Sequence, residues 1–369
     1  MCRLNAGTQP MTRRERLRRC YFNEPVDRPA VYSRTFYPPD DPSYDRLRAY
    51  LETHSELKQG WAQAKAAPEY PVEVFYEDYS PEFRRKVEIL HTPKGDLRRT
   101  RLESVKGLPG MDETFFISSR EDAEKYLSLP AQTLIADVSS FFIADAQMGQ
   151  KGIVYVGLGS NPAGTCVQLC GSENFALLSV TDRDVLHAIC EREMWKLLRY
   201  VKFLLGKGVG PFFSLSGEEM VVPPLHGPKD FVDFNAKYDT PIIDEIHSGG
   251  GRVHIHCHGK MKAVLAEFVK MGCDVLHPCE GPPLGDILPK EAKEIARGKM
   301  CIEGNIQIHR MYEATPSDIR EETACLIRDI WDDGKGLIVS PSASPYIRGK
   351  GENCLPRYQA MVETVVRWR

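Results

Sequence analysis

The sequence predicts an α/β fold, a (β/α)8 barrel, on three observations. Short β-rich runs alternate with amphipathic helices through the second half of the chain, the runs total eight once the first half is included, and polar residues gather at their carboxyl ends. Alternation forces parallel pairing, because two parallel strands need a crossover between them. Eight parallel strands are the number that closes a barrel. A doubly wound open sheet is the alternative, but no GxGxxG follows an early strand and no Walker motif occurs.

The elements follow in order. Residues 1–10 read as a flexible N-terminus, and 11–369 as one domain, a length that barrels with insertions reach. RRERLRR (13–19) reads as the solvated face of an N-terminal helix. RPAVYSR (28–34) and PVEVFYE (71–77) read as the first two strands. VEILHTPKGDLRRTRLE (87–103) reads as a β-hairpin turning at Pro93, Lys94, Gly95 and Asp96, inserted between strands two and three. The remaining strands are IVYVGLG (153–159), PFFSLSG (211–217), RVHIHCHG (252–259), CDVLHP (273–278), MCIEGN (300–305) and GLIVSPS (336–342). After the fifth strand, Met261, Val264, Leu265, Phe268 and Val269 form one apolar helical stripe that Gly272 ends. Ile319, Leu326, Ile327, Ile330 and Trp331 fit a second helix, with Pro316 near its start and Gly334 past its end.

Composition narrows the function classes. A hydrophobic content of 42% and a charged content of 27% are those of a globular chain with a large core. The net charge of −3 and the absence of any basic run longer than 13–19 leave nucleic acid no electrostatic footprint. No stretch is long and apolar enough to span a membrane, and MCRLNAGTQP lacks the apolar core of a signal peptide, so the expected location is cytoplasmic. The 11 cysteines are scattered without a CxxC pair, which predicts reduced thiols. Cys166 and Cys170 read as small residues in a packed helix.

A barrel builds its active site at the carboxyl ends of its strands. Those ends supply Glu218 and Glu219, then His258, then His277, Cys279 and Glu280, then Glu303, Asn305 and Gln307, then Ser340, Ser342, Ser344, Tyr346 and Arg348. In RVHIHCHGK (252–260), strand alternation sets His254, His256 and His258 on one face, with Ile255 and Cys257 on the other. If that face looks inward, His254 lies deepest and His258 at the mouth. Two imidazoles two residues apart suit a divalent metal such as zinc. Glu280 leads as third ligand, ahead of His277 and Cys257. The alternative is that the histidines bond to one another, to Glu218 or to backbone in a polar mouth.

Here the sequence resembles a known family. MTRRERLRRCYFNEPVDRPAVYS (11–33), HTPKGDLR (91–98), GEEMVVPPLHGPKDF (217–231), RVHIHCHGK, DVLHPCEGPPLGD (274–286), IEGNIQ (302–307) and ENCLPRYQAMVE (352–363) are similar, in order, to uroporphyrinogen decarboxylase-related proteins, most of all the corrinoid-dependent methyltransferase branch. The resemblance implies a barrel with its site at the mouth, often a homodimer. The methanol- and methylamine-pathway enzymes of that branch, which act on coenzyme M, carry His-x-Cys-Gly on this strand and a second cysteine after the last strand, together binding zinc. Matched on Gly259, His256 stands at the histidine and His258 at the first cysteine, while SPSASP (340–345) offers Ser342 and Ala343 instead of the second. The decarboxylase pattern, with an arginine segment near the N-terminus for substrate carboxylates, leaves only Arg34 in YSRTFYPPDD (32–41).

The leading expectation is a zinc-assisted methyltransferase, moving a methyl group between a corrinoid (cobalamin) held by a carrier protein and a small thiol or O-methyl substrate. His256, His258 and Glu280 would hold the metal, Glu218 or Glu219 would shuttle the proton, and His254 would sit deepest among the catalytic groups. Asn305, Gln307, Ser342 and Tyr346 would orient substrate, with Arg34 and Arg348 pairing its anionic groups. Alternatives are a cofactor-free decarboxylase of a porphyrinogen-like or other small carboxylate, a metal-dependent hydrolase, and a non-catalytic corrinoid- or tetrapyrrole-binding barrel.

Overall fold

The computed structural model describes residues 11–107 and 109–368; the tail read over 1–10 lies outside the described residues. Eight parallel strands form one sheet: β1 (Ala30–Val31), β2 (Leu57–Trp61), β3 (Gly152–Ser160), β4 (Phe212–Ser216), β5 (Arg252–His256), β6 (Val275–His277), β7 (Cys301–Glu303) and β8 (Leu337–Val339). They pair in the order β1-β8-β7-β6-β5-β4-β3-β2, so the first two strands are the two ends of the ladder. Glu56 joins those ends: its N–H donates to Val31 O at 2.9 Å, and its carboxylate accepts from Val31 N at 2.7 Å. The sheet thereby curls into a barrel, as expected.

That buried carboxylate changes the reading of RRERLRR. The helix Arg13–Tyr21 forms, but Arg16 is not on a solvated face. It contacts Glu56 and Asp27, both at 2.7 Å, and Arg28 meets Glu56 at 2.8 Å. A carboxylate taken out of water at a seam needs such compensation.

The second strand is also not where the alternation placed it. β2 is LKQGW, while Val72–Asp78 is the edge of a four-stranded antiparallel sheet completed by Phe83–Thr92, Gly95–Ser104 and Met111–Thr114. No residue of that edge strand is buried. A period of two reports a pleated strand but not which sheet it joins, and LKQGW has too few apolar residues to show one. The expected hairpin turns at Pro93 and Lys94, with Thr92 paired to Gly95, and the antiparallel sheet lies in the β2–β3 crossover.

Two hydrophobic cores hold the barrel. One packs the outward residues of the strands, such as Phe213, Leu215, Val253, Ile255, Leu276 and Val339, against helices. Both predicted helical stripes join it: Val264, Leu265 and Phe268, and Ile319, Leu326, Ile327 and Ile330, are buried in it. The second core contains Leu17, Cys20 and Tyr21 of the N-terminal helix together with Ala30, Ile153, Phe212, Val275, Cys301 and Ile338. That helix closes the amino end of the barrel. Two residues further along each strand the second core gives way to polar groups: Tyr155, Ser214, His277, Glu303 and Ser340 follow Ile153, Phe212, Val275, Cys301 and Ile338. The barrel is dry below and polar above.

Candidate active site

The polar upper half encloses a cavity of about 290 Å³ lined by residues that include Arg34, Lys58, Tyr155, Ser214, His254, His256 and Glu303. Pairing sets the levels: His254 is opposite Ser214 and Val275, and His256 is opposite Ser216 and His277. Since residues facing one side alternate along a strand, His254 and His256 both reach the interior, one above the other.

At the mouth, Arg34, from the extended segment after β1, meets His256. Its Nη1 lies 2.8 Å from His256 Nδ1, 3.2 Å from Nε2, and 3.4 Å from His277 Nδ1. The Nδ1 atoms of His256 and His277 are 3.0 Å apart, with the rings stacked at 5.1 Å, and His277 Nε2 donates to Pro341 O at 3.1 Å. Burial, reinforced by the Arg34 charge, pushes His256 down to about 3. Burial and then neighbouring His256 hold His277 well below the usual imidazole value. Both rings are therefore neutral at pH 7. Among the described residues, no carboxylate pairs with Arg34. At the rim, His258 bonds Glu280 at 2.8 Å, its ring perpendicular to that of His256 and 4.8 Å away.

Deeper in the cavity, Lys58 and Glu303 form a buried ion pair, and the Lys58 ammonium lies 4.5 Å from the Tyr32 ring centroid. His254 Nδ1 lies 3.0 Å from Ser214 Oγ, and Nε2 lies 3.8 Å from Glu303. Burial, then the Lys58 charge, holds His254 well below its ordinary value.

The remaining sequence-predicted residues do not line this cavity. Glu218 is fully buried beside Asp239 and near Cys257, and burial, then Asp239, raises its pKa well above the carboxylic range. Glu219 accepts from Gly217 N at 3.0 Å and so holds its own turn. Gly217 explains both placements: at φ +107, a left-handed conformation open to glycine, it turns the chain off the end of β4. Ser342 accepts from Ile308 N at 3.1 Å and donates to Gln307 at 3.3 Å, a brace between two loops. Asn305 Oδ1 is buried without a partner, Tyr346 is exposed, and Arg348 donates to Pro39 O at 2.9 Å. Lys58 was hidden by the misplaced second strand. Glu303 stood among the strand ends, but its role depends on that lysine.

The expected zinc ligands do not assemble. His258 and Glu280 are engaged with each other, both nitrogens of His256 lie against a guanidinium, and Cys257 is buried on the opposite strand face beside Met261. Among the described residues, no three histidine, cysteine, aspartate or glutamate side chains are grouped to hold a metal ion. A divalent cation at His256 would also face the fixed Arg34 charge.

The family model for uroporphyrinogen decarboxylase (URO-D) matches residues 116–367. Among solved structures, a methyltransferase from Methanosarcina mazei superposes with a TM-score of 0.60 at 13% identity, covering 96% of this chain and 98% of its own. A xylanase from termite gut with an Ig-like domain gives a TM-score of 0.36 at 7% identity, covering 84% of this chain and 98% of its own. No curated protein sequence matches.

Proposed function

The chain belongs to the uroporphyrinogen decarboxylase family, and we propose on that premise that it is a methyl-transferring enzyme for a small thiol or O-methyl substrate. The observation that carries this reading is a guanidinium with no carboxylate partner among the described residues, set against the neutral His256 imidazole on the wall of a cavity of about 290 Å³, with neutral His277 packed behind that ring. That volume suits a small molecule rather than a tetrapyrrole, since pockets for drug-sized ligands begin at roughly 300 Å³. The fold neighbour named as a methyltransferase agrees with this reading.

Methyl transfer from an ether, or to a thiol, leaves or requires an anion on oxygen or sulfur. In this proposal Arg34 stabilises that anion, taking the electrostatic role that the resemblance gives to a metal. His256, uncharged, orients the same atom by hydrogen bonding, and His277, held by Pro341 O, positions the His256 ring. His258, half-buried at the rim and bonded to Glu280, passes the proton between this atom and solvent. A corrinoid on a partner protein would supply the methyl acceptor or donor.

A second reading, cofactor-free decarboxylation, is favoured by the same Arg34, which is equally suited to a substrate carboxylate. Purified protein mixed with methylcobalamin and a panel of small thiols distinguishes the two. Thiol-dependent loss of the cobalt-bound methyl supports methyl transfer. No such loss, together with carbon dioxide released from small carboxylates, overturns it.

A further inference from the structure

The deeper groups of the cavity take no part in the mechanism above, and they form an arrangement of their own. Ser214 Oγ is 3.0 Å from His254 Nδ1, a nucleophile and a base within hydrogen-bond reach. The other ring nitrogen, Nε2, is buried, has no hydrogen-bond partner among the described residues, and faces Glu303 at 3.8 Å. Lys58, paired with Glu303, fixes that carboxylate in place beside the ring. A carboxylate beside Nε2 favours the proton on that nitrogen, which leaves the Nδ1 lone pair for the serine hydroxyl. All three residues line the cavity, on whose wall Arg34 is the positive group nearest the mouth.

We propose that Ser214, His254 and Glu303 form a metal-free nucleophilic relay that hydrolyses small acyl esters. A histidine serving only to pack a barrel interior would have both nitrogens satisfied; this one has its unpaired nitrogen turned to a carboxylate in a cavity. The Ser214 proton moves to His254 Nδ1 as Oγ bonds to the acyl carbon, with Arg34 available to the oxyanion. The carbon–oxygen bond to the leaving alcohol breaks, and that alcohol takes the proton from His254. Water repeats the sequence, releasing the acid and restoring the serine. No oxidant, reductant or cofactor is needed, so this activity stands or falls apart from methyl transfer. The cavity volume limits the acyl group to a short chain.

The test uses the full-length protein, diisopropyl fluorophosphate as a small serine-directed probe, and peptide mass spectrometry, with p-nitrophenyl acetate hydrolysis as a second readout. The expected result is a phosphoryl adduct on Ser214 that S214A lacks, and esterase turnover reduced at least tenfold in both S214A and H254Q, with wild-type melting temperatures. An adduct confined to another residue, or no adduct together with equal esterase rates in wild type and S214A, would falsify the relay. If either variant melts early, S214C serves instead: its thiol, in the same position, is expected to be alkylated by iodoacetamide faster than the other cysteines, and equal labelling overturns the proposal.

Discussion

Replacing Asp239 with asparagine tests the claim that the Glu218–Asp239 pair is structural and is held in its neutral form. Asp239 is fully buried; one carboxyl oxygen accepts from Asn161 at 2.9 Å and the other has no partner. Burial raises its pKa from 3.8 to about 8. A folded-state value above the unfolded one means that the folded chain binds the extra proton. The contribution to stability is complete below about pH 4 and is lost as pH rises through 8. At pH 7 roughly three pH units separate the solution from the unfolded value, and at about 1.4 kcal/mol per unit the penalty reaches at most about 4 kcal/mol. Asparagine keeps an acceptor for Asn161 and has no proton to lose. Its amide also brings donors to the neighbourhood of Glu218, whose two carboxyl oxygens lack partners. Urea denaturation from pH 4 to 8 should show wild-type stability falling as pH rises, and D239N falling much less, so that the variant is the more stable protein at pH 7. Equal slopes, or a variant less stable than wild type throughout, refute the reasoning.

Three further outcomes follow from the same geometry. Lys58→Met leaves the buried Glu303 carboxyl without its partner and should cost about 3–5 kcal/mol, while K58M/E303L recovers most of that loss in thermal melts. Gly164→Ala should cost about 1–3 kcal/mol, because its Cβ would lie 2.8 Å from Asn161 Oδ1 and 2.9 Å from Gly217 Cα, both fixed in the same buried network; a melting temperature equal to wild type contradicts this. Arg34→Gln should lower kcat/KM for thiol-dependent methyl transfer by about 10²–10³-fold without a comparable loss of stability.

Much of the barrel was legible because crossover helices and strand runs alternate, and because β5 sets two imidazoles on one inward face. The paired ends of β5 and β6, which bring His277 to His256, follow from the same logic. Arg34 was visible only as a residue after the first strand; its contact with His256 depends on barrel closure, which joins positions 222 apart in sequence. Lys58 was not legible, since LKQGW carries no alternation and the exposed strand Val72–Asp78 shows a stronger signal. Proximity to a strand end misassigned Glu218 to the mouth, because one left-handed glycine was enough to send the next side chain behind the sheet.

The central claim is that a guanidinium, not a divalent metal, supplies the positive charge beside His256. Thiol-dependent demethylation of methylcobalamin by chelator-dialysed wild-type protein, compared with R34Q before and after added zinc, tests it most directly. The account predicts that dialysed wild type keeps its turnover and that R34Q stays at least a hundredfold slower with or without zinc. Wild type that stops after dialysis and recovers with zinc, beside an unaffected R34Q, contradicts it.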